Sequence, residues 1–311
     1  MRKNRKRPLR DKRNEDLTIA NLPVTEVASE GLAFANPPVM EVALSVQFDP
    51  IAGLRAAHLG HWWYTDLKPD FPTIDEQAAL PATVETFDEP EAPQNRIEVR
   101  VSGPMRISGS FVDPHAWSTN RSWFLTKSGD RIIQVQPDRL VVNWRRANEG
   151  SDYPRYSGLR KLFEKTLRNF KAFLDRENLG TVKPIQCELT YVNHLVAGNG
   201  WEKFSDIDRL FVGCNPAIEG LPEVDDAAFQ FRYLILGTQN QRIGRVHVSV
   251  QPAFRSSDKR RIFIFQIVGR GKPEEEGNEG AVGFLDKAHY LACRSFVSLT
   301  SSPMHKIWKL L

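Results

Sequence analysis

The chain reads as an α+β protein: antiparallel sheets with long helices packed on one face, built as two pseudo-repeats of strand, short helix, meander and long helix. Three observations predict this. Short β-branched runs such as RIIQVQ and RLVVNWR are separated by Ser-Gly and Pro-Asp turns, the mark of meanders. Two long segments carry apolar residues at spacings of three and four, as amphipathic helices do. The elements also recur in the same order in both halves, with Val-Gln-Pro closing a strand at 135–137 and again at 250–252.

In chain order, residues 1–33 lack periodicity and predict a disordered tail. Residues 1–13 hold eight Lys/Arg and one Asp, and without them the chain has 34 basic and 37 acidic residues. The body is therefore slightly acidic and does not grip nucleic acid by bulk charge; nucleic acid remains a possible partner only through residues 1–13. Order begins at Asn36-Pro37-Pro38, which stiffens the entry to a strand with Val42, Leu44, Val46 and Phe48 on one face. Residues 51–64 suggest a helix with Leu54, Ala57, His58 and Trp62 on one side. The Pro-, Asp- and Glu-rich run 66–93 reads as a long loop, and 97–101 and 105–111 as short strands.

A meander follows over 123–126, 131–136 and 140–145. A helix is predicted from an N-cap at Ser157 to a C-cap at Gly180, with Leu159, Leu162, Phe163, Leu167, Phe170 and Leu174 as its apolar stripe. The second half begins with a strand at 184–192, a short helical segment at 201–211 and strands at 229–236, 245–251 and 261–268. The last of these, RIFIFQIV, is apolar on both faces and so belongs inside a covered sheet. A loop over 271–280, a helix over 282–299 and a final short helix ending at Ile307-Trp308 complete the chain. The short linker 179–183 argues for one globular domain, 34–311, made of pseudo-repeats 34–180 and 181–311, rather than two domains.

The blocks NPPVMEV (36–42), WFLTKSGDRIIQVQPDRLVVNWRR (123–146), YPRY (153–156), QCELTYVNH (186–194) and AHYLACRSFVSLTSSPMHKIWK (288–309) fall in order. Together they resemble an uncharacterised, sporadically distributed prokaryotic protein family. The resemblance covers roughly residues 36–309, and the basic tail looks like an addition to the pattern. It implies a bacterial or archaeal cytoplasmic protein, and its sporadic distribution implies an accessory of a mobile or defence-type locus. It implies no activity and no catalytic residues.

Motif chemistry is sparse. The three cysteines, Cys187, Cys214 and Cys293, form no CxxC pair and read as free thiols of a reducing compartment. His58 and His61 have helical ligand spacing but no third ligand, so no metal is expected. Gly269-Arg270-Gly271-Lys272 lacks phosphate-loop spacing, no serine sits in a GxSxG elbow, and no cofactor motif is present. No run approaches the roughly 20 apolar residues that a membrane helix needs. The densest polar-aromatic cluster is Asn143, Arg145, Tyr153, Arg155 and Tyr156, between a strand end and a helix start. Glu188, Tyr191 and Asn193 would face it across the pseudo-repeat. Arginines in such a frame suit an anion, whereas a structural joint needs only aromatic cover and surface ion pairs. His289, beside the apolar stripe of its helix, suits a hydrogen-bonded core position or a polar pocket. The expected function is thus a non-enzymatic binding or interaction protein of the cytoplasm, with a protein partner among the candidates and without a membrane. The alternatives are nucleic-acid binding through the tail and an enzyme acting on a small anion at the Arg/Tyr cluster.

Overall fold

The computed structural model describes residues 32–87, 120–148 and 151–311. Residues 1–31 of the expected tail and the strands expected at 97–101 and 105–111 lie outside these residues. The strands are β1 (Val39–Phe48), β2 (Thr73–Ala78), β3 (Asn120–Leu125), β4 (Arg131–Gln136), β5 (Arg139–Arg145), β6 (Pro184–Val196), β7 (Phe229–Leu236), β8 (Arg242–Phe254) and β9 (Arg261–Gly271). They form a single nine-stranded sheet in the order β2-β3-β4-β5-β1-β6-β9-β8-β7, with every pairing antiparallel. The helices are α1 (Ala56–Trp62), α2 (Arg155–Arg176), α3 (Ile207–Leu210), α4 (Gly277–Leu299) and α5 (Ser302–Trp308). The protein is α+β, and no helix among the described residues is long and apolar enough to cross a membrane.

Period-two alternation divides the sheet into two chemically different faces. Val42, Leu44, Val46 and Phe48 of β1, Ile133 and Val135 of β4, Leu140, Val142 and Trp144 of β5 and Leu189 of β6 are all buried in the core. So are Val246, Val248 and Val250 of β8 and Phe263, Phe265 and Ile267 of β9. The core is completed by Leu159, Phe163, Leu167, Phe170 and Leu174 of α2 and by Leu285, Ala288, Ala292 and Phe296 of α4. Helix α2 contacts β5 and β1, α4 contacts β6, β9 and β8, and the two helices touch each other. At about 25 cal/mol per Å² of apolar area, this burial is the main source of stability. As its apolar composition predicts, β9 lies inside the sheet between β6 and β8.

Several elements depart from expectation. The run 66–93 is not simply a loop, because β2 pairs with β3 from Thr73↔Leu125 to Ala78↔Asn120. It is an edge strand, so backbone pairing forms it without apolar alternation in TIDEQA. Helix α1 starts later than 51 and runs into a π-helical turn, Trp63–Leu67. Helix α2 starts at Arg155, after Pro154 and not after Ser157, and it ends at Arg176. Pro154 pre-sets the helical entry, and Arg155 takes a left-handed φ of 61°. Helix α4 starts at Gly277, inside the expected loop. Gly280 explains the ambiguity: a Cβ there would lie 1.8 Å from the Glu275 carbonyl oxygen, so glycine is the condition for this tight start rather than a helix breaker.

Candidate functional site

The polar-aromatic residues singled out in the sequence do not form one site. The sheet divides them between its two faces. On the side of the main core, Tyr156 lies at the first turn of α2, His289 lies mid-way along α4 and Tyr191 rises from β6. The rings of Tyr156 and His289 stack at 3.9 Å with 13° between their planes. The Tyr191 hydroxyl and His289 Nδ1 lie 2.8 Å apart, and the Tyr156 hydroxyl donates to Asp286 Oδ1 at 2.8 Å. Arg160 Nε donates to Asp286 Oδ1 at 2.8 Å and Nη2 to Oδ2 at 3.0 Å. Tyr153 packs on Trp144 with ring centres 5.0 Å apart.

Burial governs the protonation of this group. It pushes Tyr153 up to about 12 and Cys293 up to about 12, raises Tyr156 and Tyr191 well above the usual tyrosine range, and lowers His289 to about 4. For Tyr156 the Asp286 charge adds to the effect, and for His289 the same charge opposes it. Neutral, mutually hydrogen-bonded groups of this kind hold α2, α4 and β6 together. They are poor nucleophiles and poor bases at neutral pH.

Asn143, Arg145 and Glu188 point to the opposite face. That face is polar over much of its width. The residues alternating with the core positions include Arg121 and Trp123 of β3, Gln134 and Gln136 of β4, Arg139, Asn143 and Arg145 of β5, and Glu41, Ser45 and Gln47 of β1, interspersed with the buried apolar Ile132 of β4 and Val141 of β5. Across the β1–β6 seam they are Gln186, Glu188 and Thr190 of β6, Arg270 of β9 and Arg245, His247 and Ser249 of β8. Two features organise the first half. Gln134 Nε2 donates to Asn143 Oδ1 and Asn143 Nδ2 to Glu41 Oε1, both at 2.8 Å, so a side-chain chain crosses three strands. Trp123 lies between two guanidinium groups, Arg121 at 5.3 Å and Arg145 at 5.9 Å from its ring. Burial raises Glu41 above the usual carboxylate range, opposed by the Asn143 hydrogen bond and by the charges of Arg145 and Arg121.

A strap over residues 79–87 runs across this face. Gln136 clasps Leu80, accepting from its N–H at 2.9 Å and donating to its carbonyl at 3.0 Å. Gln186 does the same further along, accepting from the Glu85 N–H at 2.8 Å and donating to the Thr83 carbonyl. The Glu85 side chain then enters the second half, where it meets Arg245 Nη1 at 2.5 Å, His247 Nε2 at 2.6 Å and Arg270 Nη1 at 3.6 Å. Arg270 also binds Glu188. Burial works against the Glu85 charge, but the hydrogen bonds from His247 and Arg245 outweigh it and hold the carboxyl below its usual range.

The remaining candidates lie apart from both groups. Arg155 Nη1 donates to the Phe34 carbonyl at 2.7 Å, fixing the start of α2 to the segment before β1. The Asn193 side chain donates to the Phe265 carbonyl at 3.1 Å within the core. His58 Nδ1 accepts from the Arg55 N–H at 3.1 Å, and His61 faces Glu177 at 3.6 Å, so the pair does not converge on a common point. Among the described residues no cluster of three His, Cys, Asp or Glu could hold a metal. Cys187, Cys214 and Cys293 are free.

Sequence reasoning missed Glu41, Glu85, Arg121, Trp123, Gln134, Arg139, Arg245, His247 and Arg270. The signal was available in part. RVHVSVQ at 245–251 alternates perfectly, and its polar half is Arg245, His247, Ser249 and Gln251. RIIQVQ likewise presents Gln134 and Gln136 on one side. No signal in the sequence marks Glu85 as the residue that crosses to the second half. No family model matches the chain, and no curated protein matches it.

Proposed function

We propose that this protein binds a ligand on the polar face of its sheet, under the 79–87 strap, without transforming it. The carrying observation is the face itself: Ser45, Gln47, Gln134, Gln136, Asn143 and Gln186 are all buried although they point away from the hydrophobic core. Polar groups are costly to bury, and here six of them share a face with buried apolar neighbours such as Ile132 and Val141, where apolar side chains would also have fitted. The inert protonation of the Tyr–His–Cys group on the other face supports binding over catalysis. The setting that the sequence resemblance implies, an accessory protein of the prokaryotic cytoplasm, belongs to the same reading. So does internal duplication: each half places its last meander strand beside its first strand, giving β3-β4-β5-β1 on one side of the seam and β7-β8-β9-β6 on the other, and a long helix follows each set of strands.

A thermal-shift screen of small anions, nucleotides and peptides tests this reading, with any hit re-examined by mass spectrometry after long incubation. Ala43→Trp places a bulky ring on the polar face at the seam, where Ala43 lies between Asn143 and Thr190. The hit should be recovered chemically unchanged, and Ala43→Trp should weaken it by about tenfold or more. A converted ligand, or full affinity in Ala43→Trp, would contradict the proposal.

A further inference from the structure

We infer that the β3–β4–β5 end of the polar face is a subsite for a small oxyanion, a carboxylate or phosphate ester, on a molecule that also offers a hydroxyl or N–H hydrogen. The inference rests on the reading of this face as a ligand surface and narrows it to a place and a chemistry. Three buried donor atoms, Arg121 Nε, Arg139 Nε and Trp123 Nε1, find no hydrogen-bond partner among the described residues. One buried acceptor, Gln134 Oε1, is in the same position, on a side chain only 6% exposed. These groups are neighbours: Trp123 pairs with Gln134 across β3–β4, and the next strand, β5, carries Arg139 opposite Gln136. Buried polar atoms normally have partners, so four orphans in one place mark a missing one.

The missing partner must be an anion. Arg121 and Arg139 repel each other, and burial acts on Arg121 in the same direction. Neither guanidinium donates a hydrogen bond to a described carboxylate. Arg139 Nη2 donates to Gln47 Oε1 at 2.6 Å and to the Pro81 carbonyl at 3.1 Å, both neutral acceptors. Glu41 attracts Arg121 through space, but its hydrogen bond comes from Asn143. Guanidinium and indole N–H groups offer donors only, which suits oxygens of a carboxylate or phosphate and repels a metal cation. Gln134 has already donated to Asn143, so its free oxygen requires a hydrogen from the ligand. The strap fixes the size. Leu80 and Pro81 are tied to Gln136 and Arg139 over this end of the face, which favours a small molecule over a polymer.

Calorimetric titration of the full chain with two pairs of probes tests the subsite. Malate is set against succinate, and glycerophosphate against propyl phosphate; the second member of each pair lacks the hydroxyl. At least one hydroxylated probe should bind saturably, about tenfold or more tighter than its partner, because only it satisfies Gln134. The pair that responds identifies the headgroup. Arg121→Gln and Arg139→Gln should each weaken that probe by about tenfold or more, and Arg121→Gln, which removes one of two like charges, should do so with no fall in Tm. Arg260→Gln, at an exposed arginine paired with Asp258 in the β8–β9 turn, should leave the titration unchanged. Absence of saturable binding by all four probes, binding retained by both arginine variants, or equal affinity within both pairs overturns the inference. If the probes fail while another ligand remains sensitive to Ala43→Trp, the subsite falls and the broader reading stands. If nothing responds to Ala43→Trp, both fall.

Discussion

Two carboxylates on the same sheet face, Glu41 and Glu85, show how single residues here are tuned by what surrounds them. Glu41 is half-buried and hydrogen-bonded to one neutral amide, so its charge is disfavoured; Glu85 is half-buried and meets Arg245, His247 and Arg270, so its charge is favoured. Glu85→Gln should therefore destabilise the protein by about 1–3 kcal/mol at neutral pH, less than a fully buried pair would cost because the partners are partly exposed. The sign with pH follows from the lowered pKa. The contribution of Glu85 is complete above its ordinary value of 4.5 and is lost as pH falls through the lower folded value, so wild type and variant should converge in acid. Denaturant titrations at neutral pH and below pH 4.5 check this. On the other face, Tyr156→Phe should cost about 1 kcal/mol, because Asp286 keeps Arg160. Tyr156→Ala should cost about 3–5 kcal/mol through loss of the ring that stacks on His289. Thermal melts of the two variants separate the hydrogen bond from the packing.

At the scale of elements, the strap and the helix–sheet contacts make distinct predictions. The strap is fastened by two glutamines rather than by apolar packing. Replacing both Gln136 and Gln186 with Leu should erase hydrogen-exchange protection at the Leu80 and Glu85 amides while leaving β4 and β6 protected. Unchanged protection at those amides would mean that Glu85 and the Arg139–Pro81 hydrogen bond anchor the segment without the glutamines. Helix α4 approaches β9 closely at Gly269, where a Cβ would lie 2.7 Å from the Ala288 Cβ. Gly269→Ala should force the helix outward and lower stability by about 1–3 kcal/mol, read as a drop in denaturation midpoint.

Elements of this kind were legible where side chains alone specify them. The stripe of α2 and the two-sided apolar run of β9 are examples. They were illegible where backbone geometry decides, as at edge strand β2 and at the Gly277 start of α4. The site was legible only residue by residue. Asn143, Arg145 and Glu188 do share a face, but Tyr153, Tyr156, Tyr191 and His289 group with the core side. Adjacency in sequence conceals this division, because a turn of one residue along a strand sends the next side chain to the other side.

For the molecule as a whole, the defining feature is the seam where β1 pairs with β6 from Val39↔Asn193 to Phe48↔Pro184. These partners lie far apart in the chain, and the seam is the centre of the sheet. A ribosome delivering this chain would release β1 long before β6 exists to receive it. Until then the completed first half would end in a bare, apolar strand border of the sort that invites pairing with another nascent copy. Closure of so long a loop is also slow relative to the local meanders. In pulse-labelled refolding, the amides shared by β1 and β6 should therefore gain protection after those of the β4–β5 hairpin, and the yield of monomer should fall as protein concentration rises.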